Sequence, residues 1–389
     1  MNLLTLNTLE LILLVTFVAL FIVQIGYHWG LYSRIYFRYR AVNNNKLKFE
    51  TDFPPLSVVI CAKNESENLK RYLPSILEQD YPQFEVIVVN DGSTDESDDI
   101  LTRMEEEYPH LYHTFTPETA RYISRKKLSL TIGIKASKYD WLVFTEANCR
   151  PSSPDWLKLM ARNFTSSTDV VLGYSGYESA KGWLQQETTF DSFFNAMRYL
   201  SFALLNKPFM GIGRNMAYRK ELFFKNKGFS AHLNLQKGDD DLFINKIATR
   251  SNTRVETDKK ASILIRSMEY AKDWTEEKVS YVVTSHYFKG IQKYLLGFET
   301  LTRLAFYGLF IALLILSIIG NEWILLSIVS LLFILRYVSQ TLLFNKTATT
   351  LHEKHYYLML PVFDIVQPLY NFKFKLYQLL RRKEDFMRR

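Results

Sequence analysis

Residues 56–97 read LSVVICAKNESENLKRYLPSILEQDYPQFEVIVVNDGSTDES. Leu56–Ala62 is a short β-branched run bounded by polar residues, the pattern of a strand buried on both faces. Between Asn64 and Gln79, Leu69, Leu73, Ile76 and Leu77 fall on one side of a helix. Phe84–Asn90 repeats the buried-strand pattern. Asp91–Asp95 then supplies the Ser, Thr and Asp residues that start helices, and a helix is expected over Asp98–Tyr108. Leu128–Ala136 reads as helix and Trp141–Thr145 as a third strand. This alternation predicts an open parallel α/β sheet. Ligands of such sheets sit beyond the carboxyl ends of the strands. The polar clusters at those ends are Asn64–Glu65, Asp91 and Glu146–Asn148.

Outside this core the chain turns apolar. Leu11–Tyr27 carries no charge and reaches the ~17–25 residues needed to span a bilayer. No basic residue precedes it and no A-x-A site follows, so it reads as an uncleaved anchor rather than a signal peptide. Arg34, Arg38, Arg40, Lys46 and Lys48 come after it. The positive-inside rule therefore places the N-terminus outside and the centre of the chain in the cytoplasm. Leu304–Gly320, the polar pair Asn321–Glu322 and the slightly short run Trp323–Leu335, ending at Arg336, read as a membrane hairpin. Tyr356–Tyr370 is apolar, but Pro361, Asp364 and Pro368 make a lipid-exposed span costly. With the basic tail to Arg389 it reads as an interfacial or re-entrant segment against anionic headgroups. The expected layout is an anchor over 1–33, a soluble domain over 54–290, a hairpin over 304–338 and an interfacial segment with its tail over 356–389.

Composition narrows the partners. The chain carries 48 Lys and Arg against 40 Asp and Glu, a net charge of +8. That excess suits membrane lipid or a nucleotide and is too diffuse for nucleic acid. Two cysteines, Cys61 and Cys149, build no disulfide framework. A hydrophobic share of 48% excludes general disorder.

Five segments occur in a telling order: SVVICAKNESENL, EVIVVNDGSTDES, WLVFTEANCRPSSPDWL, GIGRNMAYRKELF and GDDDLFINKIA. They resemble the motifs of family 2, GT-A type glycosyltransferases over about residues 55–290, and the hairpin behind them is similar to that of the membrane-bound bacterial branch. The resemblance implies a GT-A, Rossmann-like nucleotide-diphospho-sugar transferase domain. It implies inverting transfer of a sugar from a nucleotide-diphospho-sugar donor to an acceptor hydroxyl. The acceptor would be lipid-linked or glycan, at the cytoplasmic face of a bacterial inner membrane, in cell-envelope glycan or glycolipid synthesis. A degenerate relative that binds sugar nucleotide or lipid without turnover, and a membrane structural protein, are the alternatives.

The resemblance also assigns residues. Asp91 and Glu65 are placed at the nucleotide, although Asp91 is also suited to capping the next helix. Lys127 offers a point charge to the diphosphate, or belongs to a solvated basic face. Glu146-Ala147-Asn148 stands where the family carries Asp-x-Asp, the holder of a magnesium or manganese ion. Glu146 keeps a carboxylate and Asn148 keeps only an oxygen, so weaker metal binding, or loss of metal use, is implied. The run Asp239-Asp240-Asp241 opens a helix, where the dipole favours carboxylates. The resemblance puts the catalytic base there, Asp239 matching best and Asp240 next. Arg214 lies in the loop that borders the acceptor and suits either a phosphate or an acidic partner. No Gln-x-x-Arg-Trp element occurs in Trp274–Lys289; Glu277, Ser280 and Tyr281 hold the nearest places. Its absence argues against a polymer-extruding channel.

Overall fold

The computed structural model describes residues 7–117 and 124–380; the tail arginines and lysine over 381–389 lie outside the described residues. The chain opens with α1 (Thr8–Gly26), a π-helical turn (Tyr27–Tyr32) and α2 (Arg34–Asn43), which follow one another as a helical rod. Asn7 and Glu10 cap its start reciprocally, each side chain accepting the other's backbone N–H. The soluble body runs β1 (Leu56–Ala62), α3 (Ser66–Leu77), β2 (Phe84–Asn90), α4 (Ser97–Glu107), β3 (Leu111–Phe115), α5 (Arg125–Ala136) and β4 (Trp141–Phe144). It continues with β5 (Cys149–Pro151), α6 (Trp156–Ala161), β6 (Val170–Leu172), β7 (Ser175–Tyr177), α7 (Trp183–Leu204), β8 (Met216–Arg219) and α8 (Lys220–Lys225). Then come α9 (Asp241–Ile247), β9 (Thr253–Val255), β10 (Ile263–Ile265) and α10 (Ala271–Ser285). Three long helices close the described chain: α11 (Gln292–Ile319), α12 (Trp323–Leu351) and α13 (Leu360–Leu380).

Seven strands form one sheet in the order β3-β2-β1-β4-β8-β6-β9. β1 pairs in parallel with β2, from Leu56 opposite Phe84 to Ala62 opposite Asn90, and in parallel with β4. The sheet is mixed rather than all parallel, because β8 enters antiparallel between β4 and β6. This reversal has a use. Met216, the first residue of β8, lies opposite Phe144 at the carboxyl end of β4. The loop before β8 is thereby delivered beside the residues that follow β4.

The strands are buried on both faces, as their unbroken Val and Ile runs require. On one side Val58, Ile60, Val86 and Val88 pack with Leu69, Leu73 and Ile76 of α3 and Ile100 and Leu101 of α4. On the other, Val59, Leu142 and Phe144 pack with Ile134 of α5 and the phenylalanines of α7. Gly133 lets α5 lie close to the sheet: a Cβ there would fall 2.7 Å from a Val59 methyl. Gly133→Val should therefore destabilise the chain by about 1–3 kcal/mol through overpacking, read as a lower unfolding midpoint in detergent. An unchanged midpoint would show that this contact is slack.

Three helical stretches, Thr8–Asn43, α11 and α12, are long and apolar enough to cross a membrane. Phe17 of α1 stacks on Phe306 of α11 with centroids 4.6 Å apart. The last of the three is not short. α12 runs 29 residues and passes straight through Arg336, where the sequence suggested an end. Arg336 faces protein, not lipid: its Nη2 donates to Asp364 Oδ2 at 2.8 Å and to Gln24 Oε1 at 3.1 Å. Arg303 Nη1 donates to the other Asp364 oxygen at 3.1 Å, and Tyr307 OH donates to Oδ2 at 2.8 Å. The charge that made Tyr356–Tyr370 a costly lipid-exposed span is thus buried between two arginines. It ties α13 to the hairpin, while Leu369, Phe372, Leu376 and Leu380 on α13 stay exposed.

Candidate active site

The parallel strands set the stage. A cleft of about 440 Å³ opens beyond their carboxyl ends, lined by residues from α5, the β4–β5 loop, the loops before β8 and α9, and α10. A second hollow, about 520 Å³, lies at the opposite ends of β1 and β4, against Pro54, Pro55, Asp140 and Trp141. It contains none of the predicted site residues, and strand chemistry places ligands at the other end; the smaller cleft is the candidate site.

Glu146 leaves the end of β4 and reaches into this cleft. Lys126, in the first turn of α5, donates to Glu146 Oε1 at 2.8 Å and lies 3.2 Å from Asp239 Oδ2. Arg214, delivered by the loop before β8, donates from Nε to Glu146 Oε2 at 2.8 Å. Both of its Nη atoms donate to the two Glu277 oxygens at 3.0 Å. Glu277 and Tyr281 stand one helical turn apart on α10 and both line the cleft. The places nearest the missing Gln-x-x-Arg-Trp element are therefore part of the site. Of its two readings the structure shows one: Arg214 pairs with acids, inside the cleft.

The three consecutive aspartates separate into three environments. Gly238 makes the turn that presents them: its φ is +99°, and a Cβ would lie 2.6 Å from Leu242 Cδ1. Asp239 meets Lys126; burial pushes its carboxyl up, but Lys126 and then Lys237 outweigh this and hold it below the ordinary value. Asp240 caps α9 by accepting the Asp241 N–H at 2.7 Å, and its other oxygen accepts the Gly213 N–H at 2.9 Å and faces Tyr281 OH at 3.5 Å. Burial, and then the charge of Asp239, raise the Asp240 carboxyl above its usual value. Asp241 is fully buried and accepts from Thr284 OH and from the Leu242 N–H, a role inside α9 and α10.

The remaining predicted residues divide. Asp91 lies beyond β2, where Arg125 Nε donates to its carboxylate at 3.0 Å. Glu65 begins α3 and accepts from Asn68. Neither lines the cleft proper. Both stand beside it: Asp91 holds Arg125, the chain neighbour of Lys126, and Glu65 accepts from Asn68, whose oxygen accepts from Arg266 of the lining at 3.1 Å. Lys127 is a correction. It is fully buried and its Nζ donates to the carbonyls of His232, Leu235 and Lys237 at 2.6–2.9 Å. It braces the loop before the aspartates; the cation in the cleft is its neighbour Lys126, which the sequence reading missed. One signal favoured it. Lys127 stands three and seven residues before Leu130 and Ile134, so helical spacing puts it on the buried face and Lys126 off it.

The cleft fits a divalent ion by its oxygen donors. The Lys126 ammonium lies where the carboxylates of Glu146 and Asp239 converge, and so stands in for a cation. Asn148 adds an amide oxygen to the lining. Among the described residues, no three His, Cys, Asp or Glu side chains are grouped closely enough to hold an ion by themselves. Carboxylates also outnumber cations in this lining: Glu146, Asp239, Asp240, Asp241, Asp273, Glu276 and Glu277 face Lys126, Arg214, Lys237 and Arg266.

The sequence from Ser57 to Lys225 matches the model of the family described as glycosyl transferase family 2. Over that stretch the chain is similar to family 2 glycosyl transferases. A glycosyltransferase of Haloferax volcanii, AglE, is 30% identical over 36% of this chain and 46% of its own length. A poly-β-1,6-N-acetyl-D-glucosamine synthase of Staphylococcus epidermidis is 29% identical over 24% of this chain and 21% of its own. The chain thus spans less than half the length of either curated relative. Among solved structures, a mannosyltransferase of Pyrobaculum calidifontis in complex with GDP-Man and Mn²⁺ covers 86% of this chain and 98% of its own. Its TM-score is 0.51 at 18% identity, a likeness of fold. The matched stretch ends before the three aspartates, whose place in the cleft rests on geometry alone.

Proposed function

We propose that this chain transfers a sugar, with inversion, from a nucleotide-diphospho-sugar to an acceptor hydroxyl. The observation that carries the reading is the meeting of Glu146, Lys126, Arg214, Asp239 and Asp240 in one cleft beyond the strands of a family 2 domain. Asp240 is the base: its Oδ2, between the Gly213 N–H and the Tyr281 OH, takes the acceptor proton, helped by the raised affinity for protons that burial and Asp239 give it. The acceptor oxygen bonds to the anomeric carbon as the bond from that carbon to the diphosphate breaks, and the nucleoside diphosphate leaves with the electron pair. Asp91 and Glu65, at the rim, hold the nucleoside. Lys126 and Arg214 take up charge on the departing phosphates. Glu146 and Asn148 would hold a divalent ion, which supplies further neutralisation of that diphosphate.

The acceptor is lipid-linked. α10 shows Glu277 and Tyr281 to the cleft and packs Trp274 against Tyr370 and Phe374 of α13. The exposed apolar side chains of α13 suit a helix lying in the membrane interface. One wall of the cleft is thereby backed by the element that meets the bilayer, and the positive-inside rule puts both on the cytoplasmic face.

A thermal-shift screen of the detergent-solubilised full chain with UDP-, GDP- and dTDP-sugars tests the reading. One nucleotide class should raise the midpoint, since only ligands preferring the folded form do so. No shift with any of them, with and without manganese, removes the proposal. The double hold on Glu146 favours a second reading, a domain that binds donor without turnover; donor hydrolysis measured with and without manganese separates the two.

A further inference from the structure

Resting on that reading, the geometry points to Lys126 as a tethered counter-ion that bars a divalent ion from the cleft until a diphosphate arrives to draw its ammonium away. The Nζ touches both Glu146, at 2.8 Å, and Asp239, at 3.2 Å, while Arg214 holds the second Glu146 oxygen. An ion arriving alone meets a positive charge in its seat and finds both Glu146 oxygens engaged. A diphosphate arriving alone meets a lining in which carboxylates predominate. Only the pair balances: phosphate oxygens would join Asp239 as partners of Lys126, and the Glu146 oxygen so released would be open to the ion. Arg214 keeps its place meanwhile, because its two-pronged hold on Glu277 is independent of Glu146. Lys126 has the flexible stem and compact charge such an exchange needs. Entry of ion and donor is then obligatorily coupled, and stray metal does not occupy the resting site.

Equilibrium dialysis of Mn²⁺ against the detergent-solubilised full chain tests this, with Mn²⁺ alone and with UDP or GDP. The native chain should take up Mn²⁺ only when a nucleoside diphosphate is present. Lys126→Met should take it up alone, at least about 10-fold more tightly than the native chain, since a like charge has left the seat. Lys126→Arg, which keeps the charge, should exclude Mn²⁺ as the native chain does, and an unaltered unfolding midpoint verifies that each variant is folded. Native chain that binds Mn²⁺ alone as well as Lys126→Met does overturns the inference. So does a Lys126→Met variant that gains nothing. In either case UDP or GDP still shifting the midpoint leaves the proposed transferase standing, whereas no response to any diphosphate removes both.

Discussion

Asp240→Asn is expected to lower sugar transfer by about 10²–10⁴-fold, the usual contribution of a positioned general base, with donor affinity nearly unchanged. The amide keeps the shape, but its single oxygen can accept from only one of the Gly213 and Asp241 N–H groups, so an unaltered unfolding midpoint must accompany the loss of rate. What is lost is the site for the acceptor proton. Asp239→Asn should behave differently. Its carboxylate is spent on Lys126, so its loss should act mainly on donor KM. The native pH profile gives a second readout. The base works ionised, and its carboxyl titrates above the ordinary aspartate range; the rate should therefore rise with pH through a limb displaced upward from that range. Asp240→Asn should remove the limb along with the rate. If Asp239→Asn abolishes transfer at saturating donor while Asp240→Asn retains it, the base has been assigned to the wrong neighbour.

Asp364→Ala should cost about 3–5 kcal/mol, the penalty for leaving a buried charge without its partner. Here two arginines lose a partner at once: Arg303 and Arg336 are each about 1% exposed and both turn to this carboxylate, and only Arg303 keeps a second acid, Glu299 at 3.5 Å. The effect should spread, because α13 links the hairpin to α10. A lower temperature of aggregation by fluorescence-detected size exclusion, together with a fall in transfer rate, is the expected pair of results. Native thermal behaviour in this variant would show that α13 is held by its apolar contacts alone.

The sequence exposed β1 and β2 residue for residue, because continuous β-branched runs have no other low-energy use. Leu56–Ala62 and Phe84–Asn90 lie where they were expected. The antiparallel insertion was not legible. Met216–Arg219 has four residues, and β6, β7, β9 and β10 have three each, too few for any period to show. Leu111–Phe115 was missed because an edge strand with exposed Tyr112 and Phe115 lacks the buried signature. In the site, carboxylates at strand ends were findable, since topology dictates where they go. The cations were not, because Arg125, Lys126 and Lys127 are adjacent and only the phase of α5 sorts them. Arg125 holds Asp91, Lys126 faces the cleft and Lys127 braces a loop. Asp364 looked like an obstacle to burial because its partners lie 61 and 28 residues away, beyond any local pattern.

The π-helical turn at Tyr27–Tyr32 has a mechanical consequence. Such a turn carries an extra residue relative to an α-turn, and one α-helical residue corresponds to about 100° of rotation. Above it Phe17 is keyed to Phe306; its own last residue, Tyr32, is keyed to Phe194 of α7. The rod therefore behaves as a shaft indexed at both ends, and the number of residues between the keys sets the azimuth of the catalytic body about the bilayer normal. A flexible tether would let that body swivel; this one fixes which way the mouth of the cleft looks.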